Sequence, residues 1–263
     1  MKLIFIRHGE PDYNIDSLTE NGWKEAKALA NRVVKWDVSQ FYVSPFGRAK
    51  DTASFSLEAT GKEAIELDFM REYSYPILDK TTGRNGVAWD FIPSDWTNAP
   101  YMFELDDAFL QFPCIQENKD LKENYYKVIN GFDELLKSYG YIREGKYYRN
   151  INGTKRYVTS TVDENNHVTN LGLYHDGEKE PTLVIFCHLG VTCLVLSHLL
   201  NIPFETIAHG FFMPTTSVTV LSTEERWDTE AYFRVQQIGD TRHLYEAGIP
   251  VSPAGSFSDP FQE

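Results

Sequence analysis

The groups best suited to chemistry in this chain are two histidines and two arginines set just after short apolar runs. Arg7-His8-Gly9-Glu10 follows Lys2 to Ile6, Ser44-Pro45-Phe46-Gly47-Arg48 follows Gln40 to Val43, and His188-Leu189-Gly190 follows Leu183 to Cys187. In an open parallel sheet ligands bind at the carboxyl ends of the strands. Three strands would therefore deliver His, Arg and His to one edge. Guanidinium forks match the equatorial oxygens of a phosphoryl group in geometry as well as charge. An imidazole that is neutral, with one nitrogen free, is a nucleophile, and cations beside it lower its pKa and keep it neutral.

Such an anion site must be local. The chain has 263 residues with 25 Lys plus Arg against 38 Asp plus Glu, a formal charge of -13. That balance argues against gripping nucleic acid or an anionic membrane through bulk electrostatics, so neither is expected as a partner. Cys114, Cys187 and Cys193 are too few and too scattered for a disulfide framework or a thiolate zinc cage. His167, His175 and His198 have no metal-ligand spacing to one another, and neither a metal nor a cofactor is implied. The opening apolar run, Leu3 to Ile6, is cut off by Arg7 and is too short for a signal peptide's core or a membrane span. The expectation is a soluble, cytoplasmic protein.

The elements that must position these groups read as α/β. Lys2 to Ile6 is an all-apolar strand of the kind buried on both faces of a parallel sheet. From Thr19, a candidate N-cap, Trp23, Ala26, Leu29, Ala30 and Val33 recur at helical spacing. Gln40 to Val43, Gly47 to Leu57 and Ala64 to Leu67 continue a strand, helix, strand alternation, which signals βαβ units. It resumes with a strand at Leu183 to Cys187, a helix at Val191 to Leu200, and strands at Ser217 to Leu221 and Phe233 to Gln236. The chain is read as one domain, residues 1–263, with residues 79–180 inserted as a cap. Inside the insertion the pattern predicts a helix from Asp120 to Tyr139 and a hairpin over Tyr147 to Thr161 turning at Asn152-Gly153. Pro250 to Glu263 reads as an exposed tail without chemistry. The aromatic cluster Trp89, Phe91, Trp96, Tyr101, Phe103, Phe109 and Phe112 reads as the core of the cap or a homodimer contact.

Taken in order, four motifs resemble the histidine phosphatase superfamily, branch 1, the phosphoglycerate mutase-like proteins, over most of the chain. They are Arg7-His8-Gly9-Glu10, Leu18-Thr19-Glu20-Asn21-Gly22, Ser44-Pro45-Phe46-Gly47-Arg48-Ala49-Lys50-Asp51-Thr52-Ala53 and Cys187-His188-Leu189-Gly190. The resemblance implies a three-layer αβα sandwich around a mainly parallel sheet, with an inserted α+β cap. It also implies a phosphate pocket of two Arg and two His in which His8 is transiently phosphorylated while Arg7, Arg48 and His188 hold the phosphate. The proton on the other nitrogen of His8 needs an acceptor, either a backbone carbonyl or Glu10. His188 would be charged and donate to the phosphate, joined by the amide of Leu189 or Gly190 at the following helix start and by the side-chain amide of Asn14. An alkoxide leaves badly unless protonated. The acid is placed at Glu72, where this branch carries it; Glu10, Asp12 or an acid of the insertion are alternatives. Phytase-like relatives put an Asp directly after the second His, where this chain has Leu189.

The implied activity is phosphomonoester hydrolysis on a small phosphorylated metabolite. A mutase must hold two phosphates, and its relatives carry Glu-Arg-x-Tyr-Gly around the acid and an Arg pair in the insertion. This chain has Glu72-Tyr73-Ser74-Tyr75 and no Arg-Arg, with Lys155-Arg156 the nearest substitute. A non-catalytic phosphate-binding module is the third reading. Cys187, next to His188 on a strand, points to the opposite face and reads as core. His167, His175 and His198 read as structural, and His209 and His243 as bystanders near the pocket mouth.

Overall fold

The structure is a computed structural model; it describes residues 1–79, 83–152, 156–175, 180–226 and 229–262. Its centre is an eight-stranded sheet. In chain order the strands that matter are β1 (Lys2–Arg7), β2 (Gln40–Val43), β3 (Ala64–Glu66), β4 (Tyr141–Glu144), β5 (Tyr147–Asn150), β6 (Arg156–Val162), β7 (Val168–His175), β8 (Thr182–Cys187), β9 (Val218–Arg226) and β10 (Glu230–Asp240). The order across the sheet is β3-β2-β8-β1-β9-β10-β5-β4. From β3 to β1 every pairing is parallel, and from β1 outward to β4 every pairing is antiparallel. The parallel half carries all three motifs.

Alternation along β1 shows why helices cover both faces. Leu3 and Phe5 enter one apolar cluster, with Tyr42, Leu183, Ile185 and Cys187; Ile4 and Ile6 enter another, with Phe41, Val43, Val184 and Phe186. Against the second face pack α1 (Glu20–Val33), through Leu29 and Val33, and α2 (Gly47–Thr60), through Ala49 and Ala53. Against the first pack α3 (Lys119–Ser138), α4 (Leu189–Leu200) and α5 (Phe204–Gly210), with Phe132 of α3 stacked on Phe5 at 5.8 Å. A short α6 (Arg242–Ala247) leans on α1 through Leu244 and Ala28. The layers are those of an αβα sandwich.

Thr19 is the N-cap of α1, its Oγ1 accepting from the Gly22 amide at 3.0 Å. The helix expected at Asp120 to Tyr139 is α3, displaced by one residue at each end.

Residues 79–180 do not form a single cap, however. α3 belongs to a covering layer, and β4 and β5 extend the central sheet through pairing with β10. The aromatics Phe91 and Phe109 are continuous with the sheet's own core rather than forming a separate one. The hairpin expected at Asn152-Gly153 is also corrected. β5 pairs with β4 across Gly145 and Lys146, with Gly145 at φ +60°, and β6 pairs with β7. Two-residue turns need positive φ, and Gly145 supplies it one turn earlier. The Asn152 side chain instead donates to the Tyr139 carbonyl (3.3 Å), and Gly153 and Lys155 lie outside the described residues.

The tail is exposed over most of its described residues, Phe257 and Phe261 among them, and is corrected at its start. Val251 joins the contact between α1 and α6, Ser252 is buried, and the residues after them run back over the end of β1. Among the described residues no helix is long and apolar enough to cross a membrane, and no group of His, Cys, Asp and Glu could hold a metal ion.

Candidate active site

Strand register assembles the floor of the site. Arg7 on β1 is the partner of Cys187 on β8, and Val43 on β2 is the partner of Phe186. The residues that follow, His8, His188 and Ser44, are therefore neighbours. Backbone bonds carry the register one step past the strands, from the His8 amide to the Cys187 carbonyl (2.9 Å) and from the Ser44 amide to the Phe186 carbonyl (2.9 Å). The His8 and His188 rings lie 5.1 Å apart. Cys187 points the other way and is core, as read, its thiol pushed up to about 12 by burial.

His8 is 2 % exposed. Its Nδ1 lies 2.7 Å from the Gly9 carbonyl. A carbonyl only accepts, so Nδ1 carries the proton and Nε2 keeps its lone pair. This settles the acceptor left open between a carbonyl and Glu10, whose carboxylate instead receives Thr19, Asn21 and Ser252. Burial, then Arg7, then Arg48 hold the His8 pKa well below the ordinary imidazole value, with the Gly9 carbonyl opposing.

His188 is fully buried, with Nε2 at 2.7 Å from Ser44 Oγ and the Phe46 ring at 5.3 Å. Burial, His8 and the two arginines keep it neutral, which corrects the expectation of a charged His188. A second cation cannot be accommodated cheaply beside two guanidiniums in a dry pocket.

Both guanidiniums are buried. Arg7 donates from Nη1 to the Met213 carbonyl (2.8 Å) and from Nη2 to the Ala254 carbonyl (2.9 Å). Arg48 donates from Nη1 to Asp16 Oδ1 and lies over the Phe46 ring, 4.7 Å from its centroid. Asp16 Oδ2 also accepts the Gly47 amide at the start of α2 (2.7 Å). Three buried nitrogens of this pocket, Arg7 Nε, Arg48 Nε and His188 Nδ1, make no hydrogen bond within the protein. Buried polar atoms of that kind are normally satisfied.

Glu72 enters from the loop after β3. Its Oε1 accepts the amides of Tyr73 (2.8 Å) and Val191 (3.0 Å), the latter in the first turn of α4 directly after His188. Burial raises its pKa above the usual carboxylate value, against the amides of Val191, Tyr73 and Gly190 and the charge of Arg7. The close approach explains Gly190: a Cβ there would stand 2.9 Å from Glu72 Oε1 and 2.5 Å from Trp89 Nε1. Leu189 opens α4 directly after His188, and its side chain is core.

Asn14 is not brought in. It is exposed, and both its backbone amide (3.0 Å) and its side-chain amide (3.1 Å) donate to Oδ1 of Asp12, the Asx residue of this turn.

Several residues around the site were missed by sequence reasoning. Asp16, at φ +48°, gave no signal because it is a loop carboxylate thirty-two positions from its partner Arg48. Glu25 did give one: it falls on the apolar stripe of α1 and is fully buried, accepting Thr215 Oγ1 (2.9 Å) and the Glu10 amide (2.8 Å), with burial raising its pKa to about 7. Thr216, at φ +54°, donates its amide to the His8 carbonyl (3.2 Å), while its Oγ1 bonds the Thr215 carbonyl and His243 Nε2 (3.0 Å). A β-branched residue in the left-handed region is strained, and such strain collects at functional sites. His243 is thus no bystander but buttresses the backbone beside His8. His209 sits outside the pocket, stacked on Trp96 at 4.8 Å and 3.3 Å from buried Glu205. His198 bonds Asp133 at 2.9 Å and is structural.

Known proteins resemble this chain in part. Residues 3–103 match the model of the histidine phosphatase superfamily, branch 1. A probable phosphoglycerate mutase GpmB of Serratia proteamaculans is 33% identical over 89 residues, 30% of this chain and 41% of that protein. A 2,3-bisphosphoglycerate-dependent phosphoglycerate mutase of Thermoplasma acidophilum is 35% identical over 108 residues, 37% of this chain and 49% of that protein. The chain thus spans less than half the length of these curated relatives. Among solved structures, phosphoserine phosphatase of Entamoeba histolytica in complex with 3-phosphoglyceric acid aligns with a TM-score of 0.55 at 18% identity, over 92% of this chain and 98% of that one. Mycobacterial glucosyl-3-phosphoglycerate phosphatase aligns at 0.53 and 18%, over 90% and 98%. These likenesses show the fold, and the matched residues include Arg7, His8, Arg48 and Glu72. Residues 3–103 thus resemble the histidine phosphatase superfamily, branch 1, and over the rest of the chain the likeness is one of fold.

Proposed function

We propose that this protein hydrolyses small phosphomonoesters through a phosphohistidine on His8. The observation that carries the reading is the state of His8: Nδ1 bonded to the Gly9 carbonyl, Nε2 unprotonated, and the ring held neutral between two arginines. In the proposed first step the substrate phosphoryl group is held by Arg7, Arg48, His188 and the Leu189 amide. Ser44 Oγ and His188 Nε2 share a hydrogen bond, and in the proposed step Ser44 is its donor, which leaves the His188 Nδ1–H for a phosphoryl oxygen. The Nε2 lone pair of His8 attacks phosphorus and the ester P–O bond breaks. Glu72, whose pKa burial raises, gives its proton to the leaving alkoxide. In the second step Glu72, now a carboxylate, takes a proton from water. The water oxygen attacks phosphorus, the P–N bond breaks, and inorganic phosphate leaves.

A mutase reading draws support from the names of the curated relatives. It needs cations for a second phosphate, and Arg71, next to Glu72 in sequence, is already committed to Asp68 at 2.8 Å. Hydrolysis is therefore preferred.

Turnover of p-nitrophenyl phosphate at slightly acid pH, lost in His8→Ala, is the expected outcome, together with an acid-labile, base-stable phosphoryl label on His8 in quenched enzyme. Absence of turnover across a broad phosphomonoester panel would leave a phosphate-binding module. Interconversion of 3-phosphoglycerate that requires 2,3-bisphosphoglycerate would establish a mutase.

A further inference from the structure

We propose that the segment from Val251 to Gly255 is a strap that positions Arg7 for the phosphoryl group, an inference that rests on the reading of the pocket given above. Three observations support it. The Ala254 carbonyl accepts Arg7 Nη2 at 2.9 Å, which with the Met213 carbonyl on Nη1 holds the guanidinium from two sides and leaves Nε without a partner in the protein. Gly255, at φ +80°, passes so close to the guanidinium that a Cβ there would stand 2.8 Å from Nη2. Ser252 donates to Glu10 Oε2 (2.7 Å) and accepts the Ala254 amide (3.2 Å), joining the strap to the loop that carries His8.

The strap is itself anchored. Val251 is packed with Ala28 and Leu244, and the Gln262 side chain closes on it with two bonds, accepting the Val251 amide (2.8 Å) and donating to its carbonyl (3.0 Å). A guanidinium on a flexible stem loses side-chain freedom when it binds an anion; two fixed carbonyls remove that freedom beforehand. They also select the face of Arg7 offered to the ligand, since donors spent on Met213 and Ala254 are unavailable to it. The strap is a positioning element and touches no reacting atom.

Gly255→Ala tests this, with Gly248→Ala as its control. Gly248 has a similar positive φ, +64°, but nothing within 4 Å of an added Cβ, so it reports the backbone effect alone. With p-nitrophenyl phosphate, Gly255→Ala is expected to lower kcat/KM about tenfold and to weaken competitive inhibition by inorganic phosphate by a similar factor. Gly248→Ala should change either by less than about twofold, because only the shared backbone penalty applies to it. In an Arg7→Ala background, Gly255→Ala should have no further effect on either quantity. Equal losses in Gly255→Ala and Gly248→Ala, or the same Gly255→Ala loss with and without Arg7, would overturn the strap. If the native protein neither turns over nor binds phosphate, the functional reading falls and the strap is judged separately by the Arg7 Nε–H resonance in NMR. A sharp, slowly exchanging signal that Gly255→Ala broadens supports the strap, and a signal identical in both proteins refutes it.

Discussion

The imidazoles and the guanidiniums of this site are positioned by different parts of the molecule. His8 and His188 stand one residue past adjacent parallel strands, and the sheet register alone brings their rings to 5.1 Å. The guanidiniums are oriented by chain far away in sequence, Arg48 by Asp16 and Arg7 by Met213 and Ala254. The proposed nucleophile therefore depends on the most cooperative element of the fold, whereas the proposed anion grip depends on loops and on residues 251–255. Changes to the acid and the cations should cost rate in proportion to their contact with developing charge. Changes to the surrounding loops should cost far less, and their size measures how much orientation those loops supply.

Glu72→Gln should have the largest effect of the changes around His8. A positioned acid is worth about 10² to 10⁴ in rate, so cleavage of alkyl phosphates should fall by that order. Nitrophenyl phosphate, whose leaving group needs little protonation, should lose roughly tenfold or less on the same argument. The pH profile gives a second check. Burial raises the Glu72 pKa, and the acid works only while protonated, so kcat/KM for alkyl phosphates should fall as pH rises through that value. His8, held well below the ordinary imidazole value, should impose no acid limb until far lower pH. Equal losses on both substrates would place the acid elsewhere.

Arg48→Ala should cost about 3 to 4 kcal/mol of transition-state stabilisation, as donors aimed at developing charge do. Arg48→Lys should recover only part of it, because an ammonium keeps the charge but not the fork or the stacking on Phe46. Steady-state kcat/KM measures both; unchanged values in Arg48→Ala would remove this residue from the site.

How far the sequence reveals this architecture follows the same division. The apolar runs before His8, Arg48 and His188 are legible because a strand buried on both faces must be apolar throughout, and the residue after it falls at the ligand edge. The Thr19 cap is legible because it is local. The Ala254 carbonyl, by contrast, is a backbone atom that any residue provides, and its meeting with Arg7 is fixed by distant contacts, the packing of Val251 on α1 and α6 and the bonds of Ser252 and Gln262. Asp16 and Thr216 are ordinary loop residues in sequence and become significant through positive φ and distant partners. The second half of the sheet is also hard to read, since β4 and β5 sit in a long interval that suggests a separate cap, whereas tertiary pairing with β10 adds them to the sheet.

Glu25→Gln probes the join between α1 and the loop holding His8. The Glu25 pKa is raised to about 7 by burial, against an ordinary 4.5. A raised carboxyl contributes stability that is complete below 4.5 and is lost as pH rises through about 7. The native protein should therefore lose stability relative to Glu25→Gln between pH 4.5 and 8, by at most about 3 kcal/mol at 1.36 kcal/mol per unit. Comparing denaturant midpoints of the two proteins across that range cancels the opposing contribution of the buried neutral histidines. A difference independent of pH would mean that Glu25 is ionised in the folded protein throughout.

The smallest expected effect gives the finest test of whether loops orient or touch. The structure turns the Asn14 amide away from the site to Asp12, whereas Asp16, two residues on, holds Arg48 and caps the start of α2. Asn14→Ala should thus change kcat/KM by less than about twofold, in line with exposed substitutions that cost within about 0.5 kcal/mol. Asp16→Ala should lower it roughly threefold to tenfold, the scale of losing about 1 kcal/mol of an orienting hydrogen bond. The order of the two effects decides the matter. If Asn14→Ala proves the more damaging, the loop must fold over the bound phosphoryl group and place that amide on it. The cations would then be only half of the anion grip, and the loop would join the strand ends as part of the reacting site.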